Sequence, residues 1–374
     1  MESENLSKII QLRHELHMHP ELAGSEVWTK NHLINFLKEN TKLQIVDRGL
    51  WFYVYYHYND LADNLGFVAD FDALAIDETI DLAYGSIYKG KSHKCGHDGH
   101  AASLCGLCLE VDKIRPQKNI YFIFQHGEEV GMGGKDVSLI VEEKHIDEIY
   151  KIHNANYHQE GGFPLASIVY TDGINNCASY GLNLKFFGKN SHASLPEDGK
   201  NPVFAMGKII KFIEENTKLY GDDLLLCTIV EVKLGDKNFG KNPGFGEMSM
   251  TIRAKKEEKM KEFIEQLFNL TEKLAKTYGL RVEKEYSDYF PEVYNHKKSV
   301  EKIKKAAKNL AYTLIKIQTA RSSEDFGYYT KLTKGAYFMI GNGEDYPKAH
   351  TVEFDYNDKI IEPYVEMCKE IIRI

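Results

Sequence analysis

The 374 residues contain no uninterrupted apolar run of the ~18 residues that a membrane-crossing helix needs, so no membrane span is expected. Basic charge is also in short supply: 47 Lys and Arg stand against 55 Asp and Glu, a formal net charge of −8. Without a basic excess, neither nucleic acid nor a membrane surface is an expected partner. The opening MESENLSKII has two acids and no apolar core, which reads against a secretory leader. The six cysteines (Cys95, Cys105, Cys108, Cys177, Cys227 and Cys368) lack the rhythm of a disulfide framework. Reduced thiols and a cytoplasmic location are therefore expected. Repeats, low-complexity tracts and Pro/Gly/Ser-rich linkers are missing too.

What is present is ordinary for a globular protein, at 43% hydrophobic and 27% charged residues. The length suits two domains of roughly 100–200 residues each. Apolar spacing at Leu6, Ile9, Ile10, Leu12 and Leu16 predicts a helix over 5–19, closed by Pro20. Strands are predicted over 50–58, 65–69, 119–125 and 146–152, separated by helical patterns such as 101–112. This alternation points to an α/β layer with mostly parallel strands. From residue 178 the order changes to strand 180–187, helix 203–218, strands 224–234 and 247–254, helix 257–278 and strand 280–286. That β-α-β-β-α-β succession is ferredoxin-like. The expectation is a discontinuous first domain, 1–177 with 289–374, carrying a mostly parallel sheet with helices on both faces. A ferredoxin-like α+β domain, 178–288, is inserted in it. One large irregular domain is the alternative.

Four stretches could carry chemistry. Lys94-Cys95-Gly96-His97-Asp98-Gly99-His100 puts a thiol, two imidazoles and a carboxylate in one turn before a predicted helix. On its own it can be a metal site, a nucleophile–base pair or neither, with a metal site and an inert turn equally expected. Glu128-Glu129 ends an apolar strand, where ligands gather in open α/β sheets. Two adjacent carboxylates there are either solvated or compensated by a cation. His153 ends a third apolar strand and His350 lies in a C-terminal loop. Singly each is unremarkable, but thiolate, imidazole and carboxylate together suit zinc, manganese, cobalt or nickel better than calcium or magnesium. The run Val130-Gly131-Met132-Gly133-Gly134 lacks the Lys-Ser/Thr of a P-loop. Cys105 and Cys108 lie in a helical pattern with no second CxxC, and read as core.

The motifs also resemble a family. Arg13-His14-Glu15-Leu16-His17-Met18-His19-Pro20-Glu21-Leu22, Ala69-Asp70-Phe71-Asp72-Ala73-Leu74, KCGHDGHAA, Phe124-Gln125-His126-Gly127-Glu128-Glu129, Gly188-Lys189-Asn190-Ser191-His192-Ala193, Ser323-Glu324-Asp325-Phe326 and His350-Thr351 occur in order along the chain. In that order they resemble the amidohydrolase branch of the dinuclear metallo-aminoacylase and metallocarboxypeptidase family (peptidase family M-twenty, subfamily D). The resemblance implies two divalent transition-metal ions, and Cys95 as a ligand bridging them. His97, Glu129, His153 and His350 would be the other ligands and Glu128 the general base. It implies that His192, from the inserted lid and dimerisation domain, meets the substrate, often across a dimer interface. Asn242 and Arg253 would lie near the substrate carboxylate. The implied partners are a small N-acyl amino acid and a second copy of the chain in a homodimer or higher homo-oligomer. The implied reaction is metal-assisted removal of an acyl group, acetyl foremost. A dipeptidase or carboxypeptidase with the same site is the alternative, and a non-catalytic metal-dependent binding protein a remoter one.

Departures from the pattern are specific. Val68 stands where the family usually has Arg, Lys94 where it has Ala, and Ala75 where it has Pro. Asn190-Ser191 replaces Gly-Gly, and Glu197 replaces a His. Val293-Tyr294-Asn295-His296 resembles a run found in N-acetyldiaminopimelate deacetylases, as does the FGY of Phe326-Gly327-Tyr328. None of these removes an implied ligand or the base.

Overall fold

The computed structural model describes residues 1–155 and 162–374. They form two compact units, one of 1–175, 293–318 and 325–374, the other of 176–292 and 319–324.

The first unit is built on an eight-stranded sheet. Its spatial order is Gln44–Asp47, Phe52–Tyr56, Asn119–Gln125, Asn64–Asp70, Glu148–Ala155, Lys334–Gly341, Ile168–Tyr170 and Leu314–Lys316. The central strands are parallel: Asn64–Asp70 pairs that way with both Asn119–Gln125 and Glu148–Ala155, and Glu148–Ala155 with Lys334–Gly341. Alternate side chains of these strands feed two cores. Phe67, Ala69, Tyr150 and Ile152 face a large cluster shared with the helices Ser3–Met18, His97–Ile114 and Ile361–Arg373. Val68, Ile123 and Ile149 face a smaller one under the short helices Gly133–Val137, Ile140–Glu143 and Gly327–Leu332. Helices thus cover both faces, as parallel sheets require. Cys105 and Cys108 are fully buried in the large cluster, as packing residues.

The second unit has a four-stranded sheet in the order Leu225–Leu234, Phe245–Ala254, Ala178–Phe187, Arg281–Phe290. Every neighbouring pair is antiparallel. Helices Val203–Asn216 and Glu257–Tyr278 close its core around Leu184, Phe186, Met248 and Leu267.

Four sheet strands, Gln44–Asp47, Ile168–Tyr170, Leu314–Lys316 and Lys334–Gly341, lie outside the expected set. The first three are only three or four residues long and lack a readable period. The helix expected from 101 begins at His97, because Gly96 takes a left-handed φ of 100° that turns the chain directly into its first turn. Among the described residues no helix is long and apolar enough to cross a membrane.

Candidate metal centre

Because Asn64–Asp70, Asn119–Gln125 and Glu148–Ala155 run parallel, the residues at their carboxyl ends meet at one sheet edge. Asp70 and Asp72 arrive from the first, Glu128 and Glu129 from the loop after the second, and His153 from the third. The seven-residue KCGHDGH turn caps this edge. A Cβ on Gly96 would lie 2.5 Å from Asn154 Oδ1, and one on Gly99 would lie 2.2 Å from the Tyr356 ring. Both glycines are therefore there for close approach. The C-terminal return brings His350, whose backbone N–H donates to the Lys94 carbonyl at 2.6 Å. His350 itself sits at a φ of 64°, unusual for a residue with a side chain.

Two overlapping triads result, Cys95–His97–His153 and Cys95–Glu129–His350, each with its ligand atoms all within 4.8 Å of one another. Cys95 Sγ lies 3.6 Å from His153 Nε2, His97 Nε2 3.7 Å from Glu129 Oε1, and His350 Nε2 3.6 Å from the same oxygen. Glu128 is buried with Oε2 4.0 Å from His97 Nε2. The structure thus brings together Cys95, His97, Glu128, Glu129, His153 and His350.

The donor set fits divalent metal on three counts. His97 donates Nδ1–H to Asp72 at 3.0 Å, and His153 donates Nδ1–H to the Asn154 carbonyl at 2.8 Å. Each ring thereby turns an Nε2 lone pair into the cluster, the tautomer a metal needs. His97 Nε2 and Glu129 Oε1 are buried atoms without a hydrogen-bond partner. Electrostatics point the same way. Burial, reinforced by the Glu129 charge, pushes the Cys95 thiol well up. Burial and the charge of Asp72 push Glu129 up to about 7, against the pull of His97. Acids this crowded are relieved by a dication.

Beneath the ligands, Asp72 spends its second oxygen on the Glu129 N–H at 3.0 Å. His100 donates Nδ1–H to Asp70 at 2.6 Å, and its Nε2 lies 2.6 Å from Asn154 Oδ1. Asp98, in the first turn of the helix that begins at His97, accepts from Arg13 Nε at 3.0 Å and lies 2.8 Å from His17 Nδ1. Lys94 has a clear role as well. Its fully buried ammonium pairs with Glu78 and donates to the Phe354 carbonyl at 2.7 Å, tying the turn to the C-terminal return. Gly133 and Gly134 pack against the His126 carbonyl and Asp325, so the glycine run is a packing device.

The other site residues belong to the second unit. His192 is exposed, its Nδ1 3.2 Å from the Ser194 N–H and 2.7 Å from Ser194 Oγ. It is held in a two-residue ladder, Lys241 opposite His192 and Asn242 opposite Ser191. The Asn242 amide bonds Ser191 Oγ at 3.0 Å and accepts from Asn201 at 2.8 Å, so the Ser191 departure supplies its partner. Arg253 is half-buried, with Nη1 donating to Ser323 Oγ at 2.7 Å and the Arg321 carbonyl at 3.2 Å.

A family model for Peptidase family M20/M25/M40 matches residues 66–374. The chain belongs to that family. An N-acetylcysteine deacetylase of Bacillus subtilis is 27% identical, over 91% of this chain and 90% of its own. An N-acetyldiaminopimelate deacetylase of Lactobacillus helveticus is 26% identical, over 95% and 94%. The same fold is found in a dinuclear metal binding M20 peptidase of Bacillus subtilis, with a TM-score of 0.83, 23% identity and coverage of 99% and 98%. A putative aminohydrolase of methicillin-resistant Staphylococcus aureus superposes with a TM-score of 0.88 at 24% identity, covering 99% and 96%.

Asp70 and Asp72 lie within one of the sequence motifs but carry no expected role there. Their signal was available: two acids at i and i+2, the first closing a buried strand, are costly unless they hold something. In the VYNH run the buried Asn295 donates to the Thr171 and Tyr337 carbonyls and accepts from the Tyr337 N–H, a structural clamp on the strand whose Tyr337 ring lies 6.2 Å from that of His153.

Proposed function

We propose that the protein is a metal-dependent amidohydrolase that removes an acyl group, acetyl foremost, from the nitrogen of an amino acid. The observation that carries this is a second carboxylate beside an already sufficient ligand set. The two triads meeting at Cys95 do not use Glu128, although its Oε2, 4.0 Å from His97 Nε2, also comes within ligand reach in a third group with His97 and Glu129. A storage or structural site has no need of such a base.

In this reading Cys95, His97, Glu129, His153 and His350 would hold two divalent ions of the zinc, manganese, cobalt or nickel type. Such ions, when bound, lower the pKa of water toward neutrality and polarise an amide carbonyl. Glu128 accepts the proton of the attacking water and returns it to the departing amine. His192 offers Nε2–H to the carbonyl oxygen as negative charge develops there. Arg253, with Asn242, takes the substrate carboxylate by charge and hydrogen bonding. The 176–292 unit serves as lid and dimerisation unit, hinged near residues 177 and 288, in a cytoplasmic homodimer or higher homo-oligomer. The names of the relatives support the acyl-amino-acid class, and N-acetyldiaminopimelate is one candidate substrate.

The test is metal-reconstituted protein offered N-acetyl amino acids, N-acetyldiaminopimelate included, beside unblocked dipeptides. Hydrolysis of the former alone is expected, and Glu128→Ala should abolish it at near-normal metal content. Cleavage of dipeptides alone would turn the reading to a dipeptidase, and full activity in Glu128→Ala would remove Glu128 from the mechanism.

A further inference from the structure

Val68, standing where the resembling family usually has arginine, lies directly opposite Lys151 in the parallel pairing of Asn64–Asp70 with Glu148–Ala155. Register partners on adjacent strands share a face, and so do residues i and i+2 of one strand. Val68, Asp70 and Lys151 therefore project to the same side. The chain thus carries a cation at the register neighbour of the position where the family pattern has one.

That cation is fully buried, as are the two carboxylates it meets. Lys151 Nζ lies 2.7 Å from Asp70 Oδ2 and 3.7 Å from Asp325 Oδ1. Asp70 in turn receives His100 Nδ1 at 2.6 Å and lies 3.8 Å from His97 Nε2. Asp325 receives Gln125 Nε2 at 3.0 and 2.8 Å and the Gly134 N–H at 2.7 Å. One ammonium thus ties together the ends of two sheet strands, the first turn of the His97–Ile114 helix and the loop that bears Glu128 and Glu129. A buried carboxylate deprived of its counter-charge no longer holds its place.

We propose that Lys151 is a positioning residue of the metal centre, supplying from one strand the buried cation whose arginine counterpart is missing at Val68 on the next. Acting through Asp70 and His100, it fixes the helix turn that presents His97. The inference rests on reading the cluster around Cys95 as a metal centre.

The experiment titrates Co²⁺ into the purified full chain, followed by the thiolate and ligand-field absorption bands and by chelator competition, with unfolding midpoints measured separately. Wild type should load two equivalents. Lys151→Met should bind about 10–100-fold more weakly with shifted bands, the loss typical when support behind a ligand is removed. The exchange variant Val68→Arg/Lys151→Met should recover most of that loss. If wild type takes up no Co²⁺, the metal-centre reading itself fails. If wild type loads and Lys151→Met loads as tightly with unchanged bands, the role of Lys151 is overturned. Should Lys151→Met not fold, the exchange variant decides: folding with near-normal loading supports the proposal, and failure to load or to fold overturns it.

Discussion

Asp72 grips the His97 ring with one carboxylate oxygen at 3.0 Å and the backbone N–H of Glu129 with the other at 3.0 Å. A single side chain thereby sets the orientation of one candidate ligand and the path of the chain at another. Asp72→Ala should weaken metal binding about 10–100-fold while leaving both units folded. Chelator competition with Zn²⁺ or Co²⁺ measures this, and unchanged affinity would show that His97 needs no such anchor.

Metal loading should depend steeply on pH. The Cys95 thiol is raised well above its ordinary value by burial and the Glu129 charge, and Glu129 itself is raised to about 7. Both must shed a proton to bind, so protons compete with metal at and below neutrality. Apparent affinity should rise from pH 6 to pH 8 in competition titrations. A flat profile would mean that neither group is a ligand.

The chain's reading order explains what its sequence revealed and what it hid. Elements with a long, clean period were legible: the helix 257–278 and the strands of the second unit appear within a few residues of their expected limits. Glu128-Glu129 and His153 were found because each follows an apolar run, a one-dimensional signal. Lys151 was not, because a lysine inside a strand reads as a solvent-facing residue until the register puts Val68 and Asp70 beside it. Lys94 hid for the same reason, since its partners Glu78 and Phe354 are distant in sequence.

Lys94 should matter to stability rather than to chemistry. Burial alone would raise the Glu78 carboxyl, but hydrogen bonds from His17 and Lys94 hold it down at about 2. A carboxyl depressed in the folded state adds stability above its ordinary value, and that stability is lost as pH falls through the acid range toward 2. Removing one partner of a buried pair costs about 3–5 kcal/mol. Lys94→Met should therefore lower the urea midpoint at pH 7 and narrow the gap between pH 7 and pH 4 stability. A midpoint equal to wild type at both pH values would show that the pair contributes nothing net.

Ser194 should set which proton His192 carries. A backbone N–H can only donate, so the Ser194 N–H at 3.2 Å makes His192 Nδ1 an acceptor and leaves the ring proton on Nε2, facing outward. The Ser194 hydroxyl at 2.7 Å adds a second hold on the same nitrogen. If His192 Nε2–H steadies the developing oxyanion, His192→Ala should lower kcat about 10²–10³-fold. Ser194→Ala removes one neutral hydrogen bond and keeps the N–H, so its loss should be smaller, about 2–10-fold in kcat with KM little changed. Because Ser194 acts only through the ring, adding Ser194→Ala to His192→Ala should cost nothing further. Steady-state kinetics on the two single variants and the double variant decides this, and additive losses would separate Ser194 from His192.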